Sequence, residues 1–165
     1  MASGAVIVRD AGPGDEEFIL ALNAECTPAV SGMSAEDYRE IAGWAHRVLL
    51  AELDGKPAGF VILIRPGSAY PSDNYAWFEA KFDRHLYVDR IAVSEAARGA
   101  GVGRKLYEEA LQMAERLGER RLTAEVNEQP PNPKSMAFHK ALGFRYLHSR
   151  PSRHEKMVAM LERLL

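Results

Sequence analysis

The sequence predicts an α/β fold, an α+β mixed sheet with helices on both faces, and three observations carry that expectation. Short β-branched runs and helix-periodic segments alternate through the second half of the chain, the order of strands crossed over by helices. Asp54-Gly55 separates two apolar runs, the strongest short signal for a hairpin and so for antiparallel pairing. After Val93 an extended run stops, a basic, glycine-dense turn follows, and a helix-forming segment begins at once.

Each element has its own local reason. Ala5–Asp10 is a short β-rich run, closed by the turn-forming Gly12-Pro13-Gly14-Asp15. Glu16–Cys26 carries Phe18, Ile19 and Leu22 at helical spacing, and Pro28 stops it in a loop over 27–32. Ser34-Ala35-Glu36-Asp37 reads as a capping box with Asp in the Glu position, opening a helix to Trp44. Val48–Leu53 and Pro57–Ile64 are the two strands of the hairpin. Pro66 to Arg84 is a polar and aromatic insertion whose middle, Asn74–Phe82, has the makings of a helix of about two turns. Leu86–Val93 is the next strand, Gly103–Leu117 a helix closed by Gly118, and Leu122–Val126 another strand. A proline loop, Asn127–Pro133, leads to a short helix, Lys134–Leu142. Phe144–His148 is a strand, and the last segment, Lys156–Leu161, is either strand or helix.

Bulk properties bound the function. The 165 residues match one domain, 1–165, long enough to bury a sizeable core. A net charge of −2 gives no global attraction to nucleic acid or to an acidic membrane, so neither is expected as a partner and any basic site is local. The one cysteine, Cys26, excludes an internal disulfide framework and fits a reducing compartment; no motif around it marks a nucleophile. The start, Met1–Arg9, lacks the apolar core of a signal peptide, and no apolar run approaches the ~18 residues of a membrane span. A cytoplasmic protein is expected. His46, His85, His139, His148 and His154 are scattered, and no metal-ligand spacing occurs.

The turn Arg98-Gly-Ala-Gly101-Val-Gly103-Arg104 is an anion cradle by construction. Glycines let the backbone curl so that N–H groups point inward, and the following helix start adds about half a positive charge. A Walker loop is excluded, because Gly103 is followed by Arg104-Lys105-Leu106. A Rossmann fingerprint is excluded too: the third glycine comes one residue early, although Glu125 stands where that motif's ribose-binding acid would be. Downstream, Asn132, Ser135 and His139 fall three and four apart on one helical face, within Asn132–Phe144.

On these residues the chain resembles the GNAT (GCN5-related N-acetyltransferase) superfamily. The family's pyrophosphate loop, Arg/Gln-x-x-Gly-x-Gly/Ala, matches Arg98–Gly103. Its second signature, Asn-x-x-Ala/Ser-x-x-Phe-Tyr followed by Gly-Phe, matches Asn132–Phe144 with one change, His139 for tyrosine. The resemblance implies a GNAT-like acyl-CoA N-acyltransferase fold, with a mostly antiparallel sheet splayed between Leu86–Val93 and Leu122–Val126 and a β-bulge near Ile91. It implies acetyl-CoA as cofactor, its pantetheine arm pairing with the backbone of Ile91, Ala92 and Val93. The pyrophosphate would rest on the amides of Arg98, Gly99, Ala100, Gly101, Val102, Gly103 and Arg104. Asn132 and Ser135 would line the thiol end or the pantetheine, and Asn127 either joins them or serves as a strand-end turn former.

The implied reaction is transfer of an acetyl group to a primary amine by direct attack in a ternary complex. An amine with pKa near 10.4 costs about 4–5 kcal/mol to present neutral at pH 7, which a base removes locally. An oxyanion needs a free backbone N–H, and the departing thiolate leaves better with a proton donor. His139 is the candidate acid in place of tyrosine, or a helix-surface residue on a backbone carbonyl. Asp89 is the candidate base, or a structural partner of Arg90 or Arg84. Tyr87 is a candidate for acceptor contact or proton relay. Tyr75, Trp77 and Phe78 are candidates for substrate contact, or core and lid packing. Arg145, Arg150, Arg153, His154 and Lys156 form a solvated basic face or an anion site. The acceptor, a small-molecule or peptide amine, carries no readable motif, and a homodimer is a common family state. A non-catalytic acyl-CoA-binding module, and a nucleotide-binding protein using the same loop, are the other readings of these motifs.

Overall fold

The computed structural model describes residues 4–165; the first three residues of the start read for a signal segment lie outside them. Strand β1 (Val6–Asp10) leads through a 3-10 turn into helices α1 (Glu16–Glu25) and α2 (Ala35–Trp44). The hairpin β2 (Arg47–Leu53) and β3 (Lys56–Ile64) is followed by α3 (Asp73–Lys81) and β4 (Leu86–Val93). Then come α4 (Val102–Arg116), β5 (Arg121–Gln129), α5 (Pro133–Ala141), β6 (Arg145–Pro151) and β7 (Met157–Leu164). The capping box opening α2 is complete: Ser34 Oγ accepts from the Asp37 amide at 3.1 Å, and Asp37 Oδ2 accepts from the Ser34 amide at 3.0 Å. The open choice for the last segment resolves as strand. Its alternating register against β5, from Arg121↔Leu164 to Asn127↔Val158, buries Val158, Ala159, Met160 and Leu161 in the sheet. β5 runs on to Gln129, so the proline loop starts later than the sequence suggests.

The seven strands lie in the order β1-β2-β3-β4-β5-β7-β6, all neighbours antiparallel except β4 and β5. That one parallel pair touches only at Leu86↔Leu122 and Tyr87↔Thr123, after which the two strands part. The bulge on β4 falls at Asp89, two residues before the expected position: Ile62 pairs with Arg90 and Leu63 with Val88, leaving Asp89 unpaired. Alternation along the strands then divides the core. Val88, Ala124 and Val126 join the α4 and α5 side with Leu106, Tyr107 and Ala110. Tyr87 and Ala92 join the α1, α2 and α3 side with Ile19, Ile41, Tyr75 and Phe78. Among the described residues no helix is long and apolar enough to cross a membrane.

Candidate active site

A cleft of about 1040 Å³ runs through the sheet at the parting of β4 and β5, with walls from both faces. On the α4 side lie the glycine turn, Asn132, Ser135, Phe138, Tyr107 and His139. On the opposite side lie Glu40 and Trp44 of α2, Tyr70 to Asn74 ahead of and within α3, and Asp89, Arg90 and Glu125. Beyond Tyr87, β4 has no strand partner on its β5 edge, so the backbone groups that Val88 to Val93 turn to that edge face the cleft, while the other edge stays laddered to β3.

The cradle has the form its composition implies. The amides of Arg98 and Ala100 turn back onto the carbonyls of Glu95 and Ala97, whereas those of Gly99 and Gly101 make no such backbone bond. Both glycines hold left-handed φ, 85° and 84°, where a side chain is strained, and a Cβ at either would point into open space. Val102, Gly103 and Arg104 form the first turn of α4, whose amides have no carbonyl within the helix. Alternating free amides at a helix start, flanked by Arg98 and Arg104, suit a diphosphate. Of the expected cofactor residues, Ile91, Ala92, Val93, Arg98, Gly99, Gly101, Val102, Gly103, Arg104, Asn127, Asn132 and Ser135 all line the cleft. Ala100 is the exception; its side chain packs on the core beneath the turn.

On the far face sits a carboxylate that the sequence weighed only as a dinucleotide-motif acid. Glu125 projects from β5 between Ala124 and Val126, both of which turn to the other core. Tyr87 donates to both its oxygens, at 2.6 and 2.8 Å, and Asn74 Nδ2 donates at 3.2 Å. Burial pushes its pKa up to about 8, with the Asp89 charge adding to the rise and the Tyr87 hydrogen bond restraining it. The signal was present: a carboxylate in the middle of the apolar run Leu122-Thr-Ala-Glu-Val126.

Asp89 stands beside it but is tied up. Its side chain accepts from Arg90 Nε at 2.7 Å and from the Tyr70 hydroxyl at 2.5 Å, and is 4% exposed. Of its two readings, the ion pair with Arg90 is what forms. Tyr87 is fully buried beneath Glu125 and does not reach the cleft. His139 is on the cleft wall, 3% exposed, with both ring nitrogens engaged: Nδ1 lies 2.8 Å from the Ser135 carbonyl and Nε2 2.6 Å from the Tyr107 hydroxyl.

Three expected substrate contacts need correction. Tyr75 and Phe78 are 2% and 0% exposed, because the helical period of α3 turns that face onto the sheet; the Tyr75 hydroxyl is consumed by Arg65 O at 2.6 Å. Trp77 stacks on His148 at 5.5 Å, also outside the cleft. The same insertion instead contributes Tyr70, Ser72, Asp73 and Asn74. The basic run is dispersed as well. Arg145 pairs with Glu162, Arg150 donates to Asn74 at 2.6 Å, and Lys156 donates to the Pro28 carbonyl at 3.0 Å. Only Arg153, His154 and Lys156 of that set line the cleft. Asn127 also donates to Pro28 O, at 2.9 Å, so the α1–α2 loop is stitched across the mouth from two sides. Among the described residues no group of three or more histidine, cysteine or acidic side chains is placed to hold a metal ion.

The fold is shared with solved acetyltransferases. Ard1 from Thermoplasma volcanium superposes with a TM-score of 0.78 at 17% identity, over 98% of this chain and 98% of that one. The ribosomal-protein-S18-alanine N-acetyltransferase from Escherichia coli gives 0.73 at 17% identity, over 97% and 94%. The structure of yncA from Salmonella typhimurium, solved with its cofactor acetyl-CoA, gives 0.69 at 22% identity, over 98% and 94%. No curated protein sequence matches significantly. At these identities the structures speak for the fold. The sequence model of the acetyltransferase (GNAT) family matches residues 17–144, which takes in most of both core clusters, the glycine turn and the Asn132–Phe144 segment. With the splayed strands and the cradle at the helix start, that match identifies the chain: it belongs to the acetyltransferase (GNAT) family.

Proposed function

We propose that the protein transfers an acetyl group from acetyl-CoA to a primary amine by direct attack, with Glu125 as general base. The observation that carries this reading is the placement of Glu125: a carboxylate with a pKa of about 8 at the seam of the sheet, on the face opposite the anion cradle. An acid poised near neutrality can both take a proton from an ammonium and give it up to solvent. Asp89, ion-paired with Arg90 and accepting from Tyr70, serves to hold both in the acceptor wall.

The residues fit acetyl-CoA. The free amides of Gly99 and Gly101, the first turn of α4 and the guanidinium groups of Arg98 and Arg104 would hold the diphosphate. The unpaired edge of β4 at Ile91–Val93 would hold the amide-bearing arm and offer N–H groups to an oxyanion. When bound, the cofactor supplies an activated thioester. The amine reaches it from the α2 and α3 face, past Trp44, Tyr70 and Asn74.

Two measurements test the reading. Acetyl-CoA with a panel of amines (amino acids, polyamines, peptides with free N-termini) should release thiol; binding of CoA without turnover on any of them would leave only a CoA-binding module. Tyr87→Phe removes the hydrogen bond that restrains the Glu125 pKa, so the acid limb of kcat/KM should move to higher pH. At pH 7 activity should fall about threefold to tenfold, the worth of a hydrogen bond of about 1 kcal/mol. An unmoved limb would take Glu125 out of the rate.

A further inference from the structure

Loss of a thiolate wants a hydrogen-bond donor at the sulfur, and the walls of the seam on the α4 face offer few. Val88, Ala124, Val126 and Phe138 have none to give. His139 is committed: the Ser135 carbonyl can only accept, so Nδ1 carries the ring proton and donates to it at 2.8 Å. Burial lowers the affinity of the ring for a second proton, so Nε2 is a lone pair. The Tyr107 hydroxyl, 2.6 Å away, must then be the donor in that contact. Its proton points at a neutral acceptor and is free to swing about one C–O bond. A thiolate at the seam is a charged acceptor, for which hydrogen bonds are about twice as strong.

We propose that Tyr107, delivered from α4, is the catalytic residue that hydrogen-bonds the departing CoA sulfur, its O–H turning from His139 Nε2 to the sulfur, and that His139 is the positioning residue that holds the hydroxyl at the seam. This rests on the acetyl-transfer reading. The phenol that the family carries at position 139 is thus supplied from a different helix, and the histidine there occupies the space behind it. The C–S bond breaks with its electron pair on sulfur, and Tyr107 keeps its proton covalently. The proton that completes the thiol comes from the amine, by way of Glu125 and solvent, so no charge is left on the phenol.

The test compares the wild type, Tyr107→Phe, His139→Tyr, and the double variant carrying both changes. Tyr107→Phe should lower kcat about 10²-fold while the affinity for CoA changes little. The double variant, which moves the phenol back to α5, should recover most of that loss. A readout independent of turnover is the titration of bound CoA thiol by ultraviolet thiolate absorbance, with the desulfo-CoA complex as blank so that Cys26 cancels. Tyr107→Phe should make that thiol about tenfold less acidic, the worth of one charge-assisted hydrogen bond. In the wild type alone, CoA should outbind desulfo-CoA, with an advantage that grows as the thiol ionises, so the idea stays testable even where a variant fails to fold. Unchanged kcat in Tyr107→Phe, or equal affinity for CoA and desulfo-CoA at every pH, would overturn it. If no amine releases thiol from the wild type, the acetyl-transfer reading fails while the titration still reports on Tyr107.

Discussion

Glu125→Gln is expected to lower kcat/KM for the amine by about 10²–10³-fold and to leave CoA affinity unchanged. The amide keeps the shape of the carboxylate and its contacts with Asn74 and Tyr87, but it cannot take a proton. In the wild type the rate should rise with pH through about 8, where the carboxyl ionises. In the variant that limb should vanish, leaving only the ionisation of the free amine. The same substitution has an opposite effect on stability at high pH. The Glu125 pKa is raised from 4.5 to about 8, so the fold favours the neutral carboxyl. Its contribution is therefore complete below about pH 4.5 and is lost as pH rises through about 8. Thermal denaturation at pH 5 and pH 9 should show the variant gaining on the wild type as the pH rises. A wild-type profile flat between pH 6 and 9, with full activity in the variant, would move the base elsewhere.

Gly101→Asp should cost about 10³ in CoA affinity, measured by calorimetry. The position opens onto the cleft, with no neighbouring atom within 4 Å of where a Cβ would stand, so the carboxylate enters the cradle rather than the core. A unit charge held ~4 Å from a phosphate near a protein surface costs about 4 kcal/mol. The backbone is less of an obstacle than its φ of 84° suggests, because aspartate and asparagine adopt the left-handed region more readily than other side chains. Gly101→Asn is the matched control. It has the same shape without the charge and should lose far less affinity. Equal losses in the two would mean that shape rather than charge governs the cradle.

How much of this was legible in the sequence depends on whether the cause was local. The glycine turn, the Ser34–Asp37 cap and the Asp54-Gly55 hairpin are each specified within a few residues, and each forms where expected. The helix expected over Lys134–Leu142 likewise forms, as Pro133–Ala141, with Asn132 at its start accepting from the Ser135 amide at 3.3 Å. What the sequence left open was set by how side chains meet in the folded chain. Asp89 reads equally as a base or as a partner of Arg90 or Arg84 until Arg90 closes on it and Tyr70 reaches it from 19 positions away. Tyr107 carries no motif of its own within α4, and its partner His139 lies 32 positions further on. Trp77 and Phe78 stayed open between substrate contact and packing because the period of a nine-residue helix says which side chains share a face, not which face meets the sheet. Glu125 was a carboxylate inside a strand, and only the loss of pairing beyond Tyr87 gives it somewhere to look.

The parting of β4 from β5 also has a consequence for how such an enzyme can change. A continuous sheet is a bulkhead between two packed layers, and here it is pierced at one seam, so in the proposed reaction donor and acceptor would approach from opposite faces. The layer carrying the phosphate cradle and the layer carrying Trp44, Tyr70 and Asn74 share little beyond the strands themselves. If the proposed reaction holds, substitutions on that second layer should trade one amine for another without disturbing the donor's seat. On that reading, one half of the chemistry stays fixed while the other half is free to drift toward new nitrogen compounds.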